Sequence, residues 1–226
     1  VDFSFLPKYY MFFINGAKVT ILLSIFTVVL GVILGIVLAL MRLSRIGILR
    51  VFATSYIEFI RGTPLLVQLF LFYYGLPKLG IEFPDVPALG TAFPEFMAGV
   101  IALSVNSAAY VAETFRAGIQ GIDKGQMEAA RSLGMPHSMA MRHIILPQAI
   151  RNVLPALGNE FIVIIKESSI VSVIGISELM YNADTVRGNS FRPFEPLIVV
   201  AVIYFVITFT LSKLLGVAER RMKNSD

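Results

Sequence analysis

The 226-residue chain contains no cysteine. A disulfide, a thiolate metal site and a cysteine nucleophile are therefore excluded. Charge is scarce as well: Asp, Glu, Lys and Arg make up 15% of the residues, against 56% hydrophobic and a mean hydropathy of +0.77. An ordinary soluble domain is about one-quarter charged. No G-x-x-x-x-G-K-[ST] phosphate loop occurs, so the chain by itself is expected neither to bind nor to hydrolyse ATP. H-E-x-x-H, G-x-S-x-G and paired-aspartate motifs are missing too, which argues against an intramembrane enzyme. The first 18 residues lack a signal-peptide pattern, since Asp2, Lys8 and Lys18 bracket a short aromatic stretch without a cleavage site. The first long apolar run is expected to act as its own insertion signal.

The apolar residues come in runs of membrane-spanning length. Val19–Met41 is uncharged over 23 residues, enough for a hydrocarbon core of roughly 30 Å. Further spans are expected over about 51–76, 96–112, 152–176 and 196–212, the second and fourth interrupted by charges. The expected fold is all-α: a polytopic membrane protein with five transmembrane helices in a single domain, 1–226. Twelve Lys/Arg residues fall after spans 1, 3 and 5, whereas Lys8, Lys18, Lys78, Arg187 and Arg192 fall on the other side, mixed with Glu82, Asp85, Glu95, Asp184 and Glu195. Basic loops stay in the cytoplasm, which puts the N-terminus outside and the C-terminus inside. The net charge of +4 does not point to nucleic acid, because the basic residues sit between apolar runs. The outer stretches 77–95 and 182–195 are rich in Gly, Pro and Asp/Asn and read as turns.

The polar segment "GQMEAARSLGMPHSMAMRHIILPQAIRN" (125–152) lies in the middle of this chain, within a cytoplasmic loop at about 120–150. Asp123 is a candidate N-cap with Gln126 three residues on, so Lys124–Leu133 reads as a short helix. Gly134 suits a helix C-terminus and Pro136 blocks continuation. A second amphipathic stretch runs from near Ser138 to about Pro147. Ala129 and Ala130 would let another protein approach closely, with Glu128 and Arg131 orienting the contact. An ordinary basic loop would show the same local signals.

"EAARSLG" followed by nine residues and "IILP" resembles the EAA loop of ABC importer permeases, with Glu128, Ala129, Ala130, Gly134, Ile144, Leu146 and Pro147 at the family's positions. "RGTPLLVQL" (61–69), "NSAAYVAETFRAGI" (106–119) and "LGNEFIVIIKESSIVSVIG" (157–175) resemble the polar amino acid uptake branch, the histidine/arginine/glutamine type. The resemblance covers nearly the whole chain. It implies a type I importer permease fold in a bacterial inner membrane. It implies partners: two cytoplasmic ATP-binding subunits, which bind the ATP, a second identical or related permease chain, and an external solute-binding protein. Coupling to the ATPases would run through Glu128, Ala129, Ala130, Arg131, Gly134 and Pro136.

Ionisable residues inside spans usually face protein or water. Asn106, Tyr110 and Glu113 share one helix face, as do Glu160, Ile164 and Glu167, with Ser168 close by. The two acids are expected at similar depth. In one reading Glu113 or Glu160 meets the ammonium of an amino acid, Asn106 and Ser168 bond its polar atoms, and Tyr110 or Phe161 packs on it, with Ile164 in the wall. Two acids without a basic partner on those faces would favour a cationic substrate, such as arginine, histidine or lysine. In the other reading Glu113 pairs with Arg116, and Glu160 or Glu167 with Lys166 or a neighbouring span. Pro64 predicts a break near Thr63, and Arg61 beside it either snorkels to headgroups or serves a gate. Gly31 and Gly35 permit close helix packing, with a dimer interface as the lesser use. His137 and His143 lack carboxylate or cysteine partners at ligand spacing and read as loop residues, not a metal site. A self-sufficient proton-coupled carrier using Glu113 and Glu160 is the alternative, disfavoured by the missing inverted repeat.

Overall fold

Among the residues described by the computed structural model, 2–83 and 93–223, all regular structure is helical. Asp85, with residues 84–92 of the expected outer turn at 77–95, lies outside them. Helix α1 spans Leu6–Leu43. It starts well before the apolar run at 19–41, because a proline in the first turn forfeits only an N–H that has no intrahelical partner. Its 38 residues reach about 57 Å, nearly twice a hydrocarbon core. The first turns pack against a later helix, where Gly16 lies against the backbone of Leu179.

The second apolar run is two helices, α2 (Gly47–Gly62) and α3 (Leu65–Lys78), bent by 109°. The expected break is there, but the straight span expected over 51–76 is not. Thr63 is extended, as a residue before proline prefers, and Pro64 supplies no N–H to bridge the gap.

Helix α4 (Phe93–Gln120) lies along α1 and runs parallel to it. Phe26 meets Phe96, Gly31 meets Ser104 and Ser107, Gly35 meets Ala108 and Val111, and Arg42 meets Glu113. The G-x-x-x-G pair is thus spent inside the chain: a Cβ on Gly35 would stand 2.5 Å from Val111 Cγ1. The face of α4 turned inward is Ala- and Ser-rich, with Ala102, Ala108, Ala109 and Ala112 fully buried, so the backbones can approach closely.

The polar segment contains α5 (Lys124–Ser132) and α6 (His137–Ala140), which holds His137. A π-helical turn over Met141–Ile145, which carries His143, leads directly into α7 (Leu146–Glu167). The amphipathic stretch therefore does not stop at Pro147. That proline lies in the first turn of α7, and the wider π turn lets the chain pass it without a break. Helix α7 runs antiparallel to α4, with Glu160 level with Ser107 and Val153 with Gly118. It ends in a 3₁₀ turn, Ser168–Ile174, and at Gly175 with φ +88°.

Helices α8 (Leu179–Ser190) and α9 (Glu195–Lys223) follow. The stretch 182–195, expected as turns, is mostly helical. Leu179, Ala183 and Val186 recur at helical spacing and are fully buried, and the carboxylate of Glu178 accepts from the N–H groups of Met180 (2.8 Å) and Tyr181 (2.7 Å) to start the helix. α9 returns beside α7, Leu215 against Gly158, in the direction of α1 and α4. By length and apolarity α1, α4 and α9 suffice to cross a membrane, and α2–α3 makes a fourth crossing if its bent halves count as one. Arg151, Glu160, Lys166 and Glu167 reduce the apolarity of α7.

Candidate functional site

Helix α5 projects from the bundle on two well-made ends. At its start Asp123 Oδ1 accepts from Gly125 N–H at 2.6 Å. At its end Gly134 N–H donates to Arg131 O (3.0 Å) and Met135 N–H to Ala130 O (3.1 Å), the paired bonds of a Schellman termination. Gly134 takes φ +83°, which only glycine adopts without strain. Arg131 Nη1 closes the same turn on Met135 O at 2.9 Å. Glu128, Ala129 and Gly134 are exposed, and Leu133 is 84% exposed. Ala130 is not: at 2% it is buried, because α5 packs back on α6 and the π turn. The surface open to another molecule therefore contains Ala129 and Leu133 rather than the alanine pair. Pro136 caps α6 and fixes the change of direction after Gly134.

The second polar place is the seam between α4 and α7. Ser107 Oγ donates to Glu160 Oε1 at 2.9 Å, joining the two expected faces. Glu113 does not lie at the depth of Glu160. It is six residues farther along α4 than Ser107, about 9 Å. Nor does it lack a basic partner: Arg42 from α1 takes one carboxylate oxygen, and Arg116 takes the other through two nitrogens. Arg42 and Glu113 lie 71 residues apart in the chain, so sequence spacing could not reveal that pair. Asn106 is 7% exposed, and its Nδ2 donates to Gln68 Oε1 at 2.9 Å. Ser168 is fully buried and donates to Ile165 O, and Ile164 is 2% exposed. Tyr110 is 42% exposed, and the Arg61 guanidinium lies 5.6 Å from its ring centroid. Phe161 is half-buried next to Glu160. Of the expected substrate residues, Tyr110, Glu160 and Phe161 keep accessible surface, while Asn106, Ile164 and Ser168 face inward and Glu113 holds arginines.

Residues 31–224 match the family described as binding-protein-dependent transport system inner membrane component. The chain belongs to this family. It is 41% identical over 218 residues, 96% of its length, to a putative glutamine transport system permease protein of Rickettsia typhi, and covers 95% of that protein. It is equally similar to an arginine transport system permease protein of Bacillus subtilis, over 100% of this chain and 99% of the relative. A crystal structure of an amino acid ABC transporter with histidines contains a chain 55% identical, with a TM-score of 0.90, covering 98% of this chain and 99% of that one. A subunit of an inward-facing methionine ABC transporter shares the fold at 16% identity and a TM-score of 0.75. As a permease of this family the chain is a transport component, and the alternative of a self-sufficient carrier gains no support.

Two features of the permease escaped sequence reasoning. One is Gln68, a single uncharged polar residue inside an apolar run. Its signal was its position just past a proline break, where freed carbonyls need a donor. The other is Glu178, fully buried, which also accepts from Tyr204 Oη at 3.0 Å. Only the packing of α9 over α8 brings that tyrosine to it.

Proposed function

We propose that this permease is the membrane subunit of an ATP-driven, binding-protein-dependent importer of polar amino acids, in particular basic ones, in a bacterial inner membrane. The observation that carries the reading is the exposed, doubly capped α5 on a permease whose full-length relatives are amino acid permeases. In this reading α1, α2–α3, α4, α7 and α9 make five crossings, with the N-terminus outside and the C-terminus in the cytoplasm. The parallel course of α1, α4 and α9 and the opposite course of α7 support that count. Two ATP-binding subunits supply nucleotide hydrolysis, a second permease chain completes the path, and an external solute-binding protein delivers the substrate. Helix α5 docks on an ATPase subunit through Glu128, Ala129 and Leu133. Its rigid ends transmit ATPase movement to α4 and α7, between which the loop is strung.

In the same reading Glu160 takes the substrate ammonium, with Ser107 orienting its carboxylate and Tyr110 and Phe161 packing on the side chain. Glu113, held by two arginines, ties α1 to α4 instead. The test is uptake by the reconstituted complex. Glu128→Arg with Gly134→Asp should insert normally, yet lose ATP-driven uptake; full uptake by this double variant would refute the coupling role. Glu160→Gln should weaken substrate binding roughly tenfold to a hundredfold, as loss of a charge-assisted hydrogen bond predicts. Unchanged affinity would remove Glu160 from the substrate site.

A further inference from the structure

The break between α2 and α3 is closed by side chains. Helix α2 ends with carbonyls that have no intrahelical donor, and Pro64 contributes no N–H. In a membrane such groups must be satisfied internally. Thr63 Oγ1 donates to Phe59 O at 3.0 Å. Gln68, from the first turn of α3, reaches back across the break. Its Nε2 lies 2.7 Å from Ile60 O, 3.1 Å from Thr63 O and 2.9 Å from Thr63 Oγ1. Its Oε1 accepts from Asn106 Nδ2 on α4 at 2.9 Å. Gln68 and Asn106 are 2% and 7% exposed, so water does not compete for these bonds.

These contacts form part of a ring. Asn106 holds Gln68, Gln68 holds the end of α2 at Ile60, and the next residue, Arg61, lies over Tyr110. Tyr110 stands one turn from Asn106 on α4, and Ser107, which bonds Glu160, lies between them. The placement of Arg61 beside the α4–α7 seam therefore follows the angle of the break, which the Gln68 amide bridges together with the Thr63 hydroxyl. A glutamine is suited to this place because it donates to carbonyls at one end while accepting from Asn106 at the other.

We propose that Gln68, oriented by Asn106, is a positioning residue for the mouth of the transport path: the pair fixes the α2–α3 angle and holds Arg61 over Tyr110. When α4 shifts relative to α3, the Asn106–Gln68 bond breaks, Gln68 loses its orientation, and the arginine is freed. Asn106 thereby acts through Gln68 and not by touching the substrate.

The absence of native cysteine makes a direct test available. Ile48 on α2 and Leu79 just after α3 are 78% and 77% exposed. Nitroxide labels on Ile48→Cys and Leu79→Cys, in the assembled complex in lipid nanodiscs, report the angle by pulsed electron resonance. The unmodified latch should give a narrow intrachain distance distribution; Gln68→Leu and Asn106→Leu should each broaden it. A broad distribution with the latch intact, or a narrow one in both variants, overturns the proposal. If Gln68→Leu fails to assemble, Asn106→Leu decides, since it leaves the Gln68 side chain in place. A second readout is uptake. If Asn106 acts through Arg61, the losses from Asn106→Leu and Arg61→Gln should not multiply in the double variant, whereas multiplicative losses would mark a purely structural role. This arm rests on the transport reading. The distance measurement does not, so absent uptake with an intact latch would count against transport alone.

Discussion

Gly35 shows how little room a single side chain has in this bundle. A Cβ there would meet Val111 Cγ1 at 2.5 Å and Cβ at 2.6 Å, and the backbone oxygen of Ala108 at 3.0 Å. A valine cannot rotate out of such a contact, because both its methyls stem from the crowded Cβ. Gly35→Ala should destabilise the permease by about 1–3 kcal/mol through overpacking, seen as a lower midpoint of thermal unfolding in detergent. Gly134 offers a contrast. Nothing lies within 4 Å of its added Cβ, yet its φ is +83°. Gly134→Ala should cost about 1 kcal/mol of left-handed backbone strain and loosen the end of α5 without disturbing the core. Amide exchange confined to residues near 130–136 would check it.

Among the elements, α5 stands most nearly alone. At nine residues it is too short to persist in water by propensity, so its ends and its contact with α6 and the π turn must stabilise it. Asp123→Ala removes the acceptor for Gly125 N–H and should cost the helix about 0.5–2 kcal/mol. Faster amide exchange across 124–128, with the spans unaffected, is the expected result. The neighbouring α8 makes the opposite point. Its composition reads as a turn, but burial between α1 and α9 and the Glu178 cap make it a helix. Tertiary packing overrides propensity wherever an apolar stripe has something to cover.

For the whole molecule, a polar tie links the residues before α1 to the turn between α8 and α9. Arg192, in the turn between α8 and α9, bonds both the backbone oxygen and the carboxylate of Asp2. The guanidinium, with the Ser4 N–H, holds the Asp2 carboxyl down at about 2. A depressed carboxyl stabilises the fold while ionised, so the contribution is present above the ordinary carboxylate range and disappears as pH falls through about 2. Arg192→Gln should return the Asp2 titration toward the ordinary range, measured by carbon NMR of a labelled Asp2 carboxyl. The tie should hold throughout neutral pH and release only in strong acid.

Much of the architecture was legible in the sequence. Long uncharged runs located α1, α4 and α9, since a span must satisfy its backbone internally and face lipid. Asp123 and Gly134 bounded α5 to within a residue, because capping is local chemistry. Pro64 marked the break, because a proline removes a donor wherever it stands. Sequence alone therefore determined the class of the protein, the position of its polar loop and the site of its bend. Only the tertiary structure decided which polar groups are free. It gave Glu113 to Arg42 and Arg116, Asn106 to Gln68, and Gly31 and Gly35 to α4, leaving Glu160 and Tyr110 accessible at the seam. Glu113 and Arg116 stand one turn apart on α4, and their pairing was one of the two readings the spacing offered. The other pairings join residues far apart in the chain, and their partners are selected by helix packing, which no local spacing encodes.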